Sequence, residues 1–265
     1  MMSKTQISGA RAIVTGASSG IGREIARTLA DRGARLVVTA RREKRLREFA
    51  AGVVDNDSRV EVVAGDITDP ATRQQAIRSA ESRFGGLDIL VNSAGIGAQG
   101  LFEDATPDRL RQIMEVNFFA LVELTRLAIP LLKQGASPLI VNISSIFGHR
   151  GVPFSSEYCA SKFAVQGFSE ALRAELSRHR VGLLVVSPGT TETEFAEHVI
   201  ESTAKPTWRK PRAVSAAEVA RQTVQAICRR RHEIIPHRTA RILYWMNRLS
   251  PWFVNHVMTR FALRG

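Results

Sequence analysis

The sequence predicts an α/β fold, a doubly wound parallel sheet with helices on both faces, because three features agree. Short apolar runs alternate with segments of helical periodicity along most of the 265 residues. A glycine-rich turn, residues 15–22, follows the first apolar run. The notable polar residues come directly after apolar runs, at the strand ends where such sheets hold ligands. We see no repeat, low-complexity tract or linker, and therefore expect one domain.

Predicted strands and helices follow from this alternation. The strands cover residues 10–15, 36–39, 60–64, 87–91, 139–143 and 181–187. The helices cover residues 23–31, 70–84, 110–132 and 156–178. Helices between successive strands supply the crossovers that parallel strands require.

The cysteine content and the lack of long apolar runs indicate the cellular compartment that we expect for the protein. The two cysteines, Cys159 and Cys228, do not make a disulfide framework and favour a reducing, cytoplasmic compartment. We interpret Cys159 as a small buried residue, since no His or Asp lies near it in sequence. We see neither a signal peptide nor an apolar run long enough to span a membrane.

The net charge is unusually positive, +12 from 37 basic and 25 acidic residues. Such a charge favours anionic partners, including a phosphorylated cofactor or an acidic membrane surface. Neither a zinc-ligand cluster nor a nucleic-acid motif accompanies it, so we predict no metal and no nucleic acid.

The turn after the first strand has the composition of a dinucleotide-binding turn. Gly16 permits a tight turn, while Gly20 and Gly22 let a pyrophosphate approach the backbone at a helix N-terminus. Ser18 and Ser19 add hydroxyl donors. The spacing departs from the general G-x-G-x-x-G pattern, so an ordinary strand-to-helix turn is the alternative.

The end of the second strand indicates the cofactor. NAD-binding proteins carry an acidic residue there, which holds the ribose 2′-hydroxyl. Here the strand ends Ala40-Arg41-Arg42, and a guanidinium binds a 2′-phosphate that a carboxylate would repel. We therefore predict NADP(H); a solvated arginine pair that opens the next helix is the alternative.

Later strand ends extend this predicted cofactor site. Asp66 and Ile67 follow the third strand, where we expect a short polar tip to reach the adenine edge. The fourth strand runs into Asn92-Ser93-Ala94-Gly95, and small residues there suit a backbone that lies close to a ligand.

Tyr158 and Lys162, four residues apart, lie on one face of a predicted helix. An ammonium close to the phenol favours the phenolate and lowers the pKa of the tyrosine from its usual value of about 10. The pair could then exchange a proton with a carbonyl oxygen, and the hydroxyl of Ser145 could position that oxygen. The alternative is a core tyrosine beside a solvated lysine. Asn117, on an apolar helix, is either a satisfied core residue or marks a helix interruption with a bound water.

Together these motifs resemble the short-chain dehydrogenase/reductase family over residues 11–230. Residues 15–22 resemble its cofactor turn, residues 92–95 its N-N-A-G motif, and Pro188-Gly189 with Thr193 its P-G-x-x-x-T motif. The resemblance implies a single Rossmann-type domain with a seven-stranded parallel sheet, and homodimers or homotetramers that pair through the helices carrying Asn117 and Tyr158.

The resemblance also implies the site. The catalytic residues would be Asn117, Ser145, Tyr158 and Lys162. The cofactor-binding residues would be Gly16, Ser18, Ser19, Gly20, Ile21, Gly22, Arg41, Arg42, Asp66, Ile67, Asn92, Ala94, Gly95, Tyr158, Lys162, Pro188, Gly189, Thr191 and Thr193. Tyr158 would be the general acid/base, Lys162 would lower its pKa and bind the nicotinamide ribose, and Asn117 would hold a water.

Two segments depart from compact members of that family. Residues 192–214 form a basic lid, or else a solvated loop. Residues 238–265 follow the predicted domain (1–237) and form two short amphipathic helices broken at Ser250-Pro251. Their aromatic residues and arginines suit either a membrane interface or packing on the domain or a partner subunit. Similar tails occur in members that act on steroids, retinoids and lipids, so we expect an apolar ketone or secondary alcohol as substrate. An NADP(H)-binding redox sensor or scaffold is the alternative function.

Overall fold

The computed structural model describes residues 5–195, 199–202 and 212–263. A central sheet contains strands β1 (Arg11–Thr15), β2 (Arg35–Ala40), β3 (Val60–Ala64), β4 (Ile89–Asn92), β6 (Leu139–Ile143), β7 (Gly182–Val186) and β11 (Glu233–Ile234). Short pairs elsewhere join β5 (Gly97–Gln99) to β9 (Val199–Ser202) and β8 (Thr191–Glu192) to β10 (Val214–Ser215).

All strand pairs in the seven-stranded sheet are parallel, in the order β11-β7-β6-β4-β1-β2-β3. Helices cover both faces, which is why the central strands are apolar along their whole length rather than alternating. All of β6, for example, is buried. The strand order reverses between β1 and β4, and the carboxyl ends of strands at such a reversal form a ligand-binding crevice.

The helices connect these strands. Their bounds are α1 (Gly20–Ala30), α2 (Glu43–Ala51), α3 (Asn56–Arg59), α4 (Pro70–Phe84), α5 (Pro107–Met114), α6 (Ala120–Leu132), α7 (Ser156–Leu176), α8 (Ala216–Cys228), α9 (Arg238–Leu249) and α10 (Pro251–Ala262). The apolar residues of α1 and α8 face the same side of the sheet and pack into one core layer. Helices α4, α6 and α7 contribute to the layer on the opposite face.

The fold confirms the predicted doubly wound sheet, and each predicted strand and helix is present with small changes at its ends. The helix predicted over 110–132 is interrupted by a π-helical segment, Glu115–Phe119. Helices α2 and α8 and the edge strand β11 were not assigned from the residues. Strand β11 has only two residues, too few to show a periodicity.

The basic lid falls partly outside the described residues. Residues 196–198 and 203–211, which hold most of its lysines and arginines, are not among those described. Within the described part of the lid, Val199–Ser202 pair with Gly97–Gln99, the short strand after β4.

The C-terminal segment forms the two predicted helices, α9 and α10, with the break at Ser250. One face packs on the domain, where Ala240 and Val254 are buried. Asn247 joins the tail to the loop after β6, since its Nδ2 donates to the carbonyl of His149 over 3.1 Å. Among the residues that the structure describes, no helix is long and apolar enough to cross a membrane.

Candidate active site

One large cavity, about 1620 Å³, runs along the carboxyl ends of the strands at the reversal point. The structure brings nearly all of the predicted site residues to its walls. Those that line it are Gly16, Ser18, Ser19, Gly20, Ile21, Gly22, Arg41, Arg42, Asp66, Ile67, Ala94, Gly95, Ser145, Tyr158, Lys162, Pro188, Gly189, Thr191 and Thr193. Asn92 and Asn117 are not among the lining residues and lie behind the wall.

The glycine-rich turn at one end of the cavity requires its glycines. Gly16 and Gly20 have φ angles of +66° and +56°, in the region that disfavours a side chain. A Cβ on Gly22 would lie 2.5 Å from the carbonyl oxygen of Gly16. The turn therefore brings bare backbone to the start of α1, where an anionic group is stabilised.

Arg42 lies against the hydroxyls of this turn. Its Nε and Nη2 donate to Ser18 Oγ over 3.2 and 3.1 Å, and Nη2 also donates to Ser19 Oγ. Arg41 is exposed and lines the same end of the cavity. This arrangement places a guanidinium and two hydroxyls in one cluster, a donor set suited to a phosphate.

The same cluster includes two residues that the sequence analysis missed. Glu194, just past β8, accepts hydrogen bonds from Arg42 and from Arg45. Arg45 is one helical turn from Arg42, a spacing that sequence periodicity could have indicated. Glu194 is more than 140 residues away in sequence, and no local pattern connects it to α2.

The motif after β4, residues 92–95, is held in place by hydrogen bonds on the side away from the cavity. Thr15 Oγ1 accepts hydrogen bonds from the backbone N–H groups of Ser93 and Ala94, at 2.9 and 3.0 Å. Asn92 is buried and its side chain donates to Thr125 Oγ1 and Asn142 Oδ1, while its contact with the cofactor stays a prediction. In this structure Asn92 therefore ties β4 to β6 and α6, and the residues that follow it line the cavity.

Tyr158, Ser145 and Lys162 meet on the floor of the cavity. The Ser145 side chain lies close enough to the Tyr158 hydroxyl to act on its pKa, and both residues line the cavity. Lys162 Nζ lies 5.7 Å from the Tyr158 ring centroid and donates to the carbonyl of Ile143 over 3.0 Å. The helical spacing of Tyr158 and Lys162 thus places both on the cavity side of α7, opposite the strand end that carries Ser145.

The pKa values of the pair respond to burial. Burial raises the pKa of Tyr158 to about 12, although the Ser145 side chain acts in the opposite direction. Burial also lowers the pKa of Lys162 to about 8. The sequence analysis expected Lys162 to lower the pKa of the phenol; in the structure the largest influence on that pKa is burial, which raises it. At neutral pH the phenol therefore holds its proton and Lys162 is mostly protonated.

Asn117 lies in a helix interruption and is also a buried residue whose amide is satisfied by protein partners, so it combines features of both alternatives, and its bound water stays a prediction. Its Oδ1 accepts from Ile96 N over 2.9 Å, and its Nδ2 donates to Ile96 O and Ser161 Oγ, both over 3.0 Å. The Ser161 hydroxyl donates in turn to the carbonyl of Tyr158. Asn117 therefore braces α7 against the loop after β4 from within a π-helical turn, a feature frequent at functional sites.

Cys159, next to the tyrosine, is buried and its thiol is free. Burial raises the pKa of Cys159, which disfavours the reactive thiolate. Its Sγ accepts a hydrogen bond from Val152 N, consistent with a packing role.

Outside the predicted cofactor residues, the cavity wall carries many apolar side chains together with a few polar ones, such as Arg111 and Glu115. The rings of Phe147 and Phe195 flank the phenol, with centroids 6.1 and 5.7 Å from it. The lid and the tail add aliphatic and aromatic side chains to the cavity wall: Val199, Ile200, Leu243, Met258 and Phe261. Sequence analysis placed the tail outside the domain and did not assign these residues to the site.

A nicotinamide dinucleotide fits this arrangement on the donor chemistry of the residues. The cavity joins the phosphate-type donors of Arg42, Ser18 and Ser19 at one end to Tyr158 and Lys162 at the other. Between them runs the glycine-rich backbone, which has no side chains to obstruct a pyrophosphate.

The comparisons with known proteins agree with this geometry. The short chain dehydrogenase family model matches residues 10–204. The chain is 34% identical to dehydrogenase/reductase SDR family member 7B of Mus musculus, over 88% of this chain and 75% of that protein. It is 37% identical to 11-beta-hydroxysteroid dehydrogenase-like 4A of Arabidopsis thaliana, over 93% and 82%. It is 34% identical to the 3-ketodihydrosphingosine reductase of Bacteroides thetaiotaomicron, over 70% and 65%.

Two solved structures show the same fold with different cofactors. A short chain dehydrogenase/reductase from Burkholderia phymatum, in complex with NAD, has a TM-score of 0.84 and 26% identity, with 92% of this chain and 94% of that chain covered. A short chain dehydrogenase from Burkholderia cenocepacia, in complex with NADP, has a TM-score of 0.81 and 26% identity, with 96% and 99% covered. Fold, site and relatives together place the chain in the short-chain dehydrogenase/reductase family, as an NAD(P)-dependent oxidoreductase.

Proposed function

We propose that the protein is an NADP(H)-dependent carbonyl reductase, or the reverse alcohol dehydrogenase, for an apolar ketone or secondary alcohol. The observation that carries the proposal is the meeting of Tyr158, Ser145 and Lys162 on the floor of a cavity with an arginine cluster at its far end. An acid/base pair would have no use in a protein that only binds the nucleotide.

Each site residue has a definite part in this reaction. When bound, the nicotinamide supplies or accepts the hydride. In the reducing direction the Tyr158 hydroxyl donates its proton to the substrate oxygen, and Ser145 holds that oxygen by a hydrogen bond. A pKa of about 12 keeps Tyr158 protonated for this role. Lys162 places a positive charge near the phenolate that remains, and so stabilises it.

The remaining predicted residues are proposed to act around this centre. Residues 188–193 would contact the nicotinamide end from the loop after β7, and residues 94–95 would face its ribose. Asp66 would reach the adenine edge; its side chain accepts from Thr68 N and Thr68 Oγ1, which fixes the loop after β3. Asn117 would position a water for proton exchange, although its amide already binds Ile96 and Ser161.

The preference for NADP(H) over NAD(H) is proposed from the residues after β2. Arg42, held by Ser18 and Ser19, replaces the carboxylate that NAD-binding proteins use there. Arg41 adds a second exposed cation at the same end of the cavity.

The apolar substrate is proposed from the cavity wall beyond Tyr158. That wall combines Phe147 and Phe195 with side chains from the tail, and its apolar area would desolvate a hydrocarbon-rich ligand. The names of two relatives refer to a hydroxysteroid and to ketodihydrosphingosine, which are substrates of this kind.

A substrate panel tests the proposal. Oxidation of NADPH, followed by absorbance, is measured with steroid, retinoid, fatty acyl and small polar carbonyl compounds. We expect turnover with an apolar group and little with the small polar compounds, because only the former match the apolar side chains of the cavity wall. Tight NADPH binding without turnover across the panel would instead favour a sensor or scaffold.

Oligomers are proposed to form through the helices α5, α6 and α7. Several apolar side chains on these helices or the π-helical segment between them are exposed: Leu110, Phe119, Leu127 and Phe163. Exposed apolar side chains of this kind favour burial against a second copy, in a homodimer or homotetramer.

The tail is proposed to touch membranes peripherally in a cytoplasmic protein. Its outward face exposes the indoles of Trp245 (56%) and Trp252 (76%) together with Leu249 (81%). Arginines 238, 241, 248 and 260 are distributed along the same two helices. Aromatic and aliphatic side chains beside arginines suit the interface of an anionic bilayer.

Vesicle co-sedimentation tests this contact. Because the tail also forms part of the cavity wall, point substitutions are better than truncation. We expect the double variant Trp245→Gln/Trp252→Gln to lose most binding to vesicles with anionic lipid and to retain turnover. Val54→Gln, which removes an exposed apolar side chain next to α2, is the control and should bind like wild type. Unchanged binding of the tail variant would contradict the contact.

A further inference from the structure

The lid contributes an acidic side chain to the arginine cluster at the adenosine end of the cavity. Thr193 lies against the glycine-rich turn, since a Cβ on Gly20 would be 3.2 Å from Thr193 Cγ2. The next residue, Glu194, extends over α2. Its Oε2 lies 2.9 Å from Arg42 Nη1, and both of its oxygens lie 2.5–2.6 Å from Arg45 Nη1.

Glu194 therefore occupies the donors that a ribose 2′-phosphate would need. Arg42 binds Ser18 and Ser19 with Nε and Nη2, and directs Nη1 to the carboxylate. The hydrogen bonds from Arg42 and Arg45 hold the pKa of Glu194 below its usual range, so it is ionised at neutral pH. A carboxylate and a phosphate cannot both accept from the same guanidinium groups without strong repulsion.

A ribose 2′-hydroxyl, unlike a 2′-phosphate, is compatible with an ionised Glu194. A hydroxyl can donate to a carboxylate, as acidic residues at this strand end do in NAD-binding proteins. Glu194 could thus stay paired with the arginines in the presence of NAD(H), but it has to leave them for NADP(H). The lid carboxylate supplies, from a distant segment, the acidic group that the end of β2 lacks.

We propose that Glu194 is a specificity-determining residue that competes with the cofactor 2′-phosphate for Arg42 and Arg45. The competition weakens NADP(H) binding relative to the same site without the Glu194 carboxylate. It therefore reduces the preference of the protein for NADP(H) over NAD(H). This inference rests on the proposed function, because it takes the arginine cluster to be the 2′-phosphate site.

Binding of adenosine fragments tests the competition without any turnover. Dissociation constants for 2′,5′-ADP and for ADP are measured by calorimetry on the full chain, in wild type, Glu194→Gln and Glu194→Ala. We expect both variants to bind 2′,5′-ADP about three- to tenfold more tightly and ADP within about twofold of wild type, since the variants lose a partly exposed ion pair that competes with the phosphate and also lose its repulsion of the phosphate. The increase in affinity for 2′,5′-ADP should become smaller at high salt, because salt screens the charges.

Glu43→Gln is the matched control. Glu43 begins α2 beside Arg42 but pairs with Arg47, at 2.6 Å, on the exposed side of that helix. This variant removes the same unit charge next to Arg42, from a carboxylate that pairs with Arg47 instead, and should change neither dissociation constant by more than about twofold. An equal gain in Glu43→Gln would show a general effect of charge and overturn the proposal.

The proposal and the cofactor preference can fail separately. Unchanged or weaker binding of 2′,5′-ADP in both Glu194 variants would overturn the competition, whatever the wild-type preference. The ratio of NADPH to NADH dissociation constants in the wild type, compared with Arg42→Gln, decides the preference itself. Tighter 2′,5′-ADP binding in the Glu194 variants supports competition even if the wild type binds both cofactors equally.

Discussion

Replacement of Tyr158 by Phe is expected to lower kcat by about 10²–10⁴-fold, with the dissociation constant for NADPH changed by less than about twofold. The variant keeps the ring between Phe147 and Phe195 and removes only the hydroxyl, which is the group that exchanges the proton. The measurement is single-substrate kinetics with the best carbonyl compound from the panel, beside calorimetric titration of NADPH.

The chain offers a matched control for this substitution. Tyr244, the second of its two tyrosines, accepts from Arg248 Nη1 over 2.9 Å and packs edge-on against His149. Tyr244→Phe removes the same atom from the tail and should retain kcat within about threefold. Turnover of Tyr158→Phe close to that of wild type would refute the assignment of Tyr158 as general acid.

Replacement of Arg109 by Met is expected to lower the free energy of unfolding by about 3–5 kcal/mol. Arg109, on α5, makes an ion pair with Glu157, on the first turn of α7, with Nη2 2.7 Å and Nε 2.8 Å from Oε1. The two side chains are 0% and 3% exposed. Loss of the guanidinium leaves a carboxylate buried without its countercharge, at the residue that precedes Tyr158. Urea denaturation measures the change.

Two further variants separate this effect from simple loss of an arginine. Arg126→Met removes an exposed arginine that pairs with Glu123 on α6 and should cost less than about 1 kcal/mol. The double variant Arg109→Met/Glu157→Gln also removes the buried charge and should recover part of the lost stability. If Arg109→Met lowers the free energy of unfolding by no more than Arg126→Met does, the structural role of the buried pair is contradicted.

The contribution of the Arg109–Glu157 pair to the free energy of unfolding should depend on pH, and its direction follows from the pKa of Glu157. Burial raises the pKa of Glu157, but hydrogen bonds, above all that from Arg109, outweigh it and hold the pKa below its usual value. The stabilisation from this carboxylate is therefore present above its unfolded pKa and is lost as the pH falls through the folded one. In Arg109→Met the carboxylate loses its strongest hydrogen bond and its countercharge but stays buried, so protonation relieves part of the penalty. The stability difference between wild type and variant should shrink between pH 7 and pH 4.

Much of the site could be predicted from local sequence because its parts lie within single elements or their ends. Gly16, Gly20 and Gly22 belong to one strand–turn–helix unit, and backbone geometry alone requires glycine there. Tyr158 and Lys162 meet because four residues are about one helical turn. Burial of both sheet faces explains why the strands were visible as apolar runs.

The contacts of Asn92 and of the tail could not be predicted from local sequence patterns. The Asn92 side chain bonds to Asn142 and Thr125, which lie on different elements, and not to the cavity. The amphipathic pattern of the tail indicated two helices, but it did not show that Met258 and Phe261 reach the cavity. Periodicity identifies which face of a helix is apolar and says nothing about what that face contacts.

The sequence by itself determined the parallel α/β sheet, the glycine turn, the arginines after β2 and the tyrosine–lysine pair. Each of these depends on burial and backbone geometry over a few consecutive residues. Only the tertiary structure decided that Glu194 reaches Arg42 and Arg45, that Arg109 is buried against Glu157, and that the tail lines the cavity. These contacts join segments far apart in the chain, and their formation depends on how loops and helices pack across the whole domain, which no local pattern of residues specifies.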